Sequence, residues 1–294
     1  MPPMASARDW FAGARPRTLP AAVAPVLIGT GAAYAAGGGA VVPALLALLV
    51  ALSLQVGVNY ANDYSDGVRG TDERRVGPVR LVGQGLAAPS SVKTAAFGAF
   101  GFAAVAGLAL VAVTGRWWLL PVGAGAVLAA WFYTGGRRPY GYLGLGELFV
   151  FVFFGLVATV GTAYTQVAAV PNAAWAGAVG VGALSCAILM ANNIRDIPGD
   201  AVVGKRTLAV RLGDERARWA YVALIGVAFA AAVVASRTHQ GALLGLVAAV
   251  FLDRPARALR AGARGAELIP VLVATGRGTL AYGLGMGLGM ALWP

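Results

Sequence analysis

The sequence is poor in the side chains that most catalytic and metal chemistry relies on. Among 294 residues there is one cysteine, Cys186, and one histidine, His239. A single thiol cannot close a disulfide within the chain, so a disulfide-stapled secreted domain is excluded. A zinc site of Cys and His ligands is excluded on the same count, and so is catalysis built around histidine. Any base must be a carboxylate, a lysine, a tyrosine or water. Charge is scarce as well: 12% of residues are Asp, Glu, Lys or Arg, about half the share in a soluble domain.

Apolar residues fill the gap. They make up 59% of the chain, with a mean hydropathy of +0.72, which excludes a disordered chain and implies an all-α, polytopic membrane protein. A spanning helix needs about 20 mostly apolar residues. About nine candidate spans follow: Leu19–Ala36, Val41–Tyr60, Val92–Val113, Trp117–Tyr133, Leu145–Tyr164, Ala173–Asn192, Trp219–Ser236, Gly241–Leu252 and Leu268–Leu292. The eighth is short, and the ninth carries Arg277. The 42 glycines suit close packing of membrane helices.

The net charge of +11 reads as a basic face against anionic lipid rather than as a nucleic-acid surface. All basic residues except Arg116 and Arg237 fall in segments on one side of this span arrangement, which the positive-inside rule makes cytoplasmic. Met1 to Arg17 is polar and basic, unlike a cleavable signal. The expectation is one transmembrane domain over 1–294, with a cytoplasmic N-terminal segment 1–17 and cytoplasmic active-site loops 61–91 and 193–218.

The acidic residues gather at the same face. One stretch follows span two and holds Asn59, Asn62, Asp63, Asp66 and Asp72; the other follows span six and holds Asn192, Asp196 and Asp200. On a helix, Asn59, Asn62, Asp63 and Asp66 share a face, as do Asn192, Asp196 and Asp200. Pro198 is expected to kink that second helix or end it before Asp200. Four spans separate the stretches, so both reach the same side of the membrane. Caps and interfacial polar groups account for either stretch alone; two on one face point to a site, because carboxylates at a membrane edge are costly. Carboxylates and amides without histidine or thiolate are hard ligands that suit Mg2+. Arg69, Arg80, Arg195, Lys205 and Arg206 interleave with them, the equipment expected around a diphosphate. Residues Gly199 to Thr207 imitate a P-loop, but Arg206 stands where that motif needs Ser or Thr.

These motifs resemble the two aspartate-rich motifs of the UbiA superfamily of intramembrane prenyltransferases. Asn62-Asp63-x-x-Asp66 and Asp196-x-x-x-Asp200 carry the superfamily likeness. Three further segments are similar to the branch that prenylates 1,4-dihydroxy-2-naphthoate: Arg15-Pro16-Arg17-Thr18-Leu19, Gly77-Pro78-Val79-Arg80-Leu81, and Tyr133 to Glu147. Gly70 stands where many members carry a third aspartate, and Asp72 follows two residues later, a pattern common in that branch. The resemblance covers nearly the whole chain, from about Trp10 to Trp293.

The resemblance implies a UbiA-type bundle around a central cavity in the bacterial cell membrane, with its site facing the cytoplasm. It implies Mg2+-dependent transfer of a polyprenyl group from polyprenyl diphosphate to 1,4-dihydroxy-2-naphthoate, with loss of CO2 and diphosphate, giving demethylmenaquinone. By residue, it implies metal ligation by Asp63, Asp66, Asp72, Asp196 and Asp200, and diphosphate binding by Asn62, Arg69, Arg80, Asn192 and Lys205. Asp66, Asp196, Lys205 and Arg69 would carry catalysis, and Tyr64, Tyr133, Tyr140, Arg137 and Glu147 would receive the acceptor. Membrane lipid is an expected partner and nucleic acid is not; oligomeric state and prenyl length stay open. Other aromatic acceptors (4-hydroxybenzoate, homogentisate, a haem or chlorophyll precursor) are the near alternative. A cation-coupled transporter is the remote one, because its carboxylates should lie at mid-membrane.

Overall fold

The computed structural model describes residues 5–71 and 79–293, and these contain helices and turns but no strand. A capped turn opens the chain, α1 (Ala7–Gly13), in which Ser6 and Asp9 cap each other reciprocally. The following helices are α2 (Pro20–Ala35), α3 (Val41–Val68), α4 (Pro89–Thr114) and α5 (Leu120–Phe132). Next come α6 (Gly146–Val167), α7 (Asn172–Val202), α8 (Leu208–Leu212) and α9 (Asp214–Ala235). A 3-10 run at Gln240–Ala248 leads into α10 (Ala249–Arg260), and α11 (Leu268–Leu292) closes the chain.

The chain is an integral membrane protein. Five helices, α3, α4, α6, α7 and α9, are long and apolar enough to cross a bilayer; α1 with α2, bent by 49°, makes at most a sixth. The nine expected spans therefore correspond to helical segments, but length and apolarity qualify five or six of them. The shortfall has local causes. The apolar segment containing α5 is short. Helix α10 carries Asp253, Arg254, Arg257 and Arg260, and α11 interrupts its apolar run with Arg277 and repeated glycines.

Two helices outrun their expected ends. Helix α3 continues eight residues past Tyr60, and α7 continues ten past Asn192 and through Pro198. The first parts of the expected loops 61–91 and 193–218 are thus helix. Proline removes one hydrogen bond of the ladder, yet a site so near the helix end leaves the last turn intact.

Helix α7 runs through the centre: 78% of its most apolar window is buried, against 22% for α3. Ala, Leu and Met of α7 pack with α2, α9 and α11 into the larger core, while Tyr60, Leu81, Val92 and Phe100 form a smaller one between α3 and α4. Backbones touch where glycines face each other. A Cβ on Gly241 would stand 2.0 Å from the Gly289 carbonyl oxygen, so only glycine allows the 3-10 run to lie on α11. Helix α6 widens to a π-helical stretch at Phe151–Val157, where Gly155 meets Gly182 of α7. Such widened turns recur at functional sites, and Phe153 and Val157 here line the central cavity.

Candidate active site

A cavity of about 1680 Å³ lies between α2, α3, α4, α5, α6 and α7. Ala and Val of α4 and α5, and Phe149, Phe153 and Phe154 of α6, make most of its wall. Helix α5 is a thin wall, with no buried residue of its own. Polar groups are few, and the charged ones come from helix ends and the segments beside them. Asn62 and Asp66 face the cavity from α3, Asn192 and Asp200 from α7, and Arg80 and Lys205 from the segments that follow them.

Asp66 is the centre of the polar contacts at this end of the cavity. Its Oδ1 accepts a hydrogen bond from the Tyr142 hydroxyl at 2.6 Å and lies 3.2 Å from Lys205 Nζ. Its Oδ2 lies 4.0 Å from Arg80 Nη2. Lys205 also stands over the Tyr142 ring, 4.6 Å from its centre. Asp66, Arg80 and Lys205 are all buried, so this carboxylate meets both cations in a low-dielectric cluster. Burial pushes the Tyr142 phenol above its usual range, and the nearby Asp66 carboxylate adds to the shift; the phenol stays protonated and donates. Local backbone holds the parts in place: Lys205 N–H bonds the Asp200 carbonyl at 2.8 Å, and Arg206 N–H bonds the Tyr142 carbonyl at 3.0 Å.

The remaining expected residues fall at different distances from this centre. Asp63 faces away. Its oxygens accept from the Leu81 and Val82 amides at 2.7 and 3.1 Å, so it folds the segment that presents Arg80. Helical phase leaves it at the edge of the polar face, and the two amides draw it away from the cavity. At about 100° per residue, Gln55, Asn59, Asn62 and Asp66 fall within about 60° of one another, and Asp63 stands about 100° from Asn62 but only about 60° from Asp66. Asp196 is held by its neighbour Arg195, whose Nε and Nη2 reach its two oxygens at 2.8 and 2.9 Å; it does not line the cavity, whereas Arg195 does. Arg69 is exposed, donates to the carbonyls of Thr134 and Gly136 and lies over the Tyr142 ring, bracing the loop between α5 and α6. Asp72 lies outside the described residues.

Of the residues expected to receive an acceptor, Tyr133 and Tyr140 line the cavity. Their rings meet edge to face at 5.5 Å, and Tyr140 stacks on Phe149 at 4.0 Å. Tyr64 instead stacks on Trp131 under Lys93, within the α3–α4–α5 packing. Arg137 is exposed and away from the cavity lining. Glu147 is buried behind the wall, where its Oε1 accepts from Asn193 at 3.0 Å. Among the described residues no three acidic, Cys or His side chains gather as a closed metal cage.

Several polar residues were not assigned a role by sequence reasoning. The Thr134 hydroxyl donates to Asn62 Oδ1 at 2.7 Å and fixes that amide. Gln55 and Asn59 hold the N-terminal segment through Thr18 and the Ala14 carbonyl. A glutamine seven residues before Asn62, inside an otherwise apolar run, was the available signal for Gln55.

Residues 22–267 match the UbiA prenyltransferase family, and the chain belongs to that family. It is 54% identical over 281 residues to the 1,4-dihydroxy-2-naphthoate octaprenyltransferase of Mycobacterium tuberculosis, covering 96% of each chain. It is 36% identical over 292 residues to the Escherichia coli protein of the same name, covering 96% of this chain and 95% of that one. Among solved structures, the fold is similar to a UbiA homolog from Aeropyrum pernix (TM-score 0.70, 14% identity, 92% of this chain and 98% of that one). It is also similar to a UbiA homolog from Archaeoglobus fulgidus bound to GPP and Mg2+ (TM-score 0.65, 14% identity, 94% and 98%). The fold is therefore the all-α UbiA bundle.

Proposed function

We propose that this chain transfers a polyprenyl group from polyprenyl diphosphate to 1,4-dihydroxy-2-naphthoate, releasing diphosphate and CO2 and giving demethylmenaquinol, the reduced form of demethylmenaquinone. The observation that carries the reading is the buried Asp66–Lys205–Arg80–Tyr142 cluster at the polar end of a long apolar cavity. Relatives at 54% and 36% identity named 1,4-dihydroxy-2-naphthoate octaprenyltransferase support the acceptor and the long prenyl donor. The basic segments beside the site support a cytoplasmic opening in a bacterial cell membrane.

The donor set fits magnesium. Asp66 and Asp200, with the amides of Asn62 and Asn192, offer only hard oxygens, too few for a closed cage. Mg2+ takes one or two carboxylates and completes its shell with water and phosphate. These four residues would hold it, and once bound it would neutralise the diphosphate and favour its departure. Lys205 and Arg80 bind the phosphate oxygens and stabilise the charge that develops as the allylic C–O bond breaks. Tyr142 holds Asp66 in orientation. Tyr133 and Tyr140 present ring faces beside the allylic carbon, where they stabilise positive charge. The apolar wall accommodates the tail and keeps water from the cation. The naphthoate ring then attacks, and loss of its carboxyl group as CO2 and of a proton restores the aromatic ring.

The test is turnover by the purified chain in lipid with Mg2+, a polyprenyl diphosphate, and 1,4-dihydroxy-2-naphthoate, 4-hydroxybenzoate or homogentisate in parallel. Demethylmenaquinol from the naphthoate alone, read as demethylmenaquinone after oxidation in air, supports the reading. Preference for another acceptor, or no prenylated product at all, refutes it.

A further inference from the structure

Arg15 is held in an unusual way. Its backbone is left-handed, at φ 53° and ψ 67°, a region that only glycine enters without steric cost. Four hydrogen bonds fix the segment around it. Asn59 donates to the Ala14 carbonyl at 2.9 Å and to the Thr18 hydroxyl at 3.0 Å, and Gln55 donates to the same hydroxyl at 2.8 Å. The Thr18 hydroxyl donates in turn to the Arg15 carbonyl at 3.0 Å. Two amides of α3 are thus spent on holding a strained arginine at the cavity it lines.

The guanidinium lacks the partner that others in this protein have. Arg195 presents its Nε–Nη2 edge to both oxygens of Asp196, and Arg218 presents the same edge to both oxygens of Asp214. Nε and Nη2 of Arg15 are buried, and among the described residues they have no partner. An arginine cannot shed its charge, and buried donors left unmade are costly. That edge matches a carboxylate bidentately.

We infer that Arg15 receives the carboxylate of the aromatic acceptor, which rests on the acceptor class proposed above. Its location separates this from diphosphate binding. The segment is pinned at Asn59, seven residues before Asp66, or about 10 Å along α3. The diphosphate cations Lys205 and Arg80 gather at Asp66 itself. Arg15 therefore orients the acid at the far side of the ring from the leaving group and selects an acceptor that bears a carboxylate.

The test uses binding to the purified full chain in detergent, without Mg2+ or donor, so that it does not depend on turnover. The probes are 1-hydroxy-2-naphthoate and 1-naphthol, which differ by the carboxylate. The wild type is expected to prefer the acid by about 10–100-fold, the value of one buried charge-assisted pair. Arg15→Gly, which suits the left-handed backbone and should fold normally, is expected to bind the two probes equally. Arg15→Lys, which keeps the charge without the planar edge, should retain only part of the preference. In turnover, Arg15→Gly should raise the acceptor KM and leave the donor KM unchanged. A preference that survives in Arg15→Gly, its absence in the wild type, or a raised donor KM would each overturn the inference. A failure of the proposed activity would show separately, as absence of demethylmenaquinol from the wild type.

Discussion

Asp66→Asn isolates the interaction at the centre of the site. Asp66 is in contact with both Lys205, at 3.2 Å, and Arg80, at 4.0 Å, and all three side chains are buried. An amide of the same shape keeps the Tyr142 contact but removes the charge that Lys205 faces at 3.2 Å and Arg80 at 4.0 Å. Breaking a buried pair in this way costs about 3–5 kcal/mol. For a chain of this size that lowers the unfolding temperature by roughly 6–15 °C, read by thermal unfolding in detergent. The same substitution has a second signature that plain destabilisation would not produce. A polyprenyl diphosphate supplies to Lys205 the negative charge that the variant lacks, so a non-hydrolysable donor analogue should restore more stability to Asp66→Asn than to the wild type without Mg2+. With Mg2+ the order should reverse, because the variant lacks a carboxylate for the ion. Turnover should fall at least about 100-fold, the scale for losing one preorganised electrostatic group. An unchanged unfolding temperature, together with donor binding that still strengthens with Mg2+, would refute the assignment of Asp66 to both cations and metal.

Other perturbations test separate parts of the structure. Asp63→Ala leaves the Leu81 and Val82 amides without their acceptor and should cost about 2–4 kcal/mol in chemical unfolding; Asp63→Asn, which keeps one oxygen, should cost about half as much. If Asp63→Ala instead keeps full stability and loses Mg2+ dependence, Asp63 is a metal ligand and not a loop anchor. Tyr142 is an acid whose value in the folded protein is raised above the ordinary value near 10, so the unfolded chain ionises first and stability must fall as pH rises past about 10. Tyr142→Phe should remove that part of the alkaline loss, and its effect on turnover should be constant from pH 6 to 9; a turnover ratio that changes across that range would contradict it. Gly241→Ala places a Cβ 2.0 Å from a carbonyl oxygen, whereas Gly98→Ala meets nothing within 4 Å. The first should lose about 1–3 kcal/mol and the second should be neutral or slightly stabilising when unfolding temperatures are compared.

Much of the site was legible because helical phase is local. Asn62 and Asp66 could be placed on one face of α3 from spacing alone, and the segregation of Lys and Arg put both acidic stretches at one membrane face. Phase has a limit of about one residue in angle, and this is where the reading of Asp63 departs from the structure. A carboxylate at the edge of the polar face can turn to the cavity or to a neighbouring segment, and the Leu81 and Val82 amides, eighteen and nineteen residues away, decide it. Asp196 shows the same limit, since spacing cannot say whether a carboxylate faces solvent, metal or its own neighbour Arg195. The helices that outran their expected ends show another. Hydropathy stops at the first polar residue, but a helix continues as long as its backbone bonds are made and one face stays packed.

By itself the sequence determined the chemistry available here: no thiol or imidazole centre, hard oxygens with interleaved cations, and an all-helical chain in lipid, because composition and period are properties of the chain alone. Tertiary structure alone decided which of those groups act together. It joined Asp66 to Lys205 and Arg80, turned Asp63 and Glu147 outward from the cavity, and left the Arg15 edge without a carboxylate among the described residues. Those choices depend on contacts between residues far apart in the chain, whose geometry no local pattern encodes.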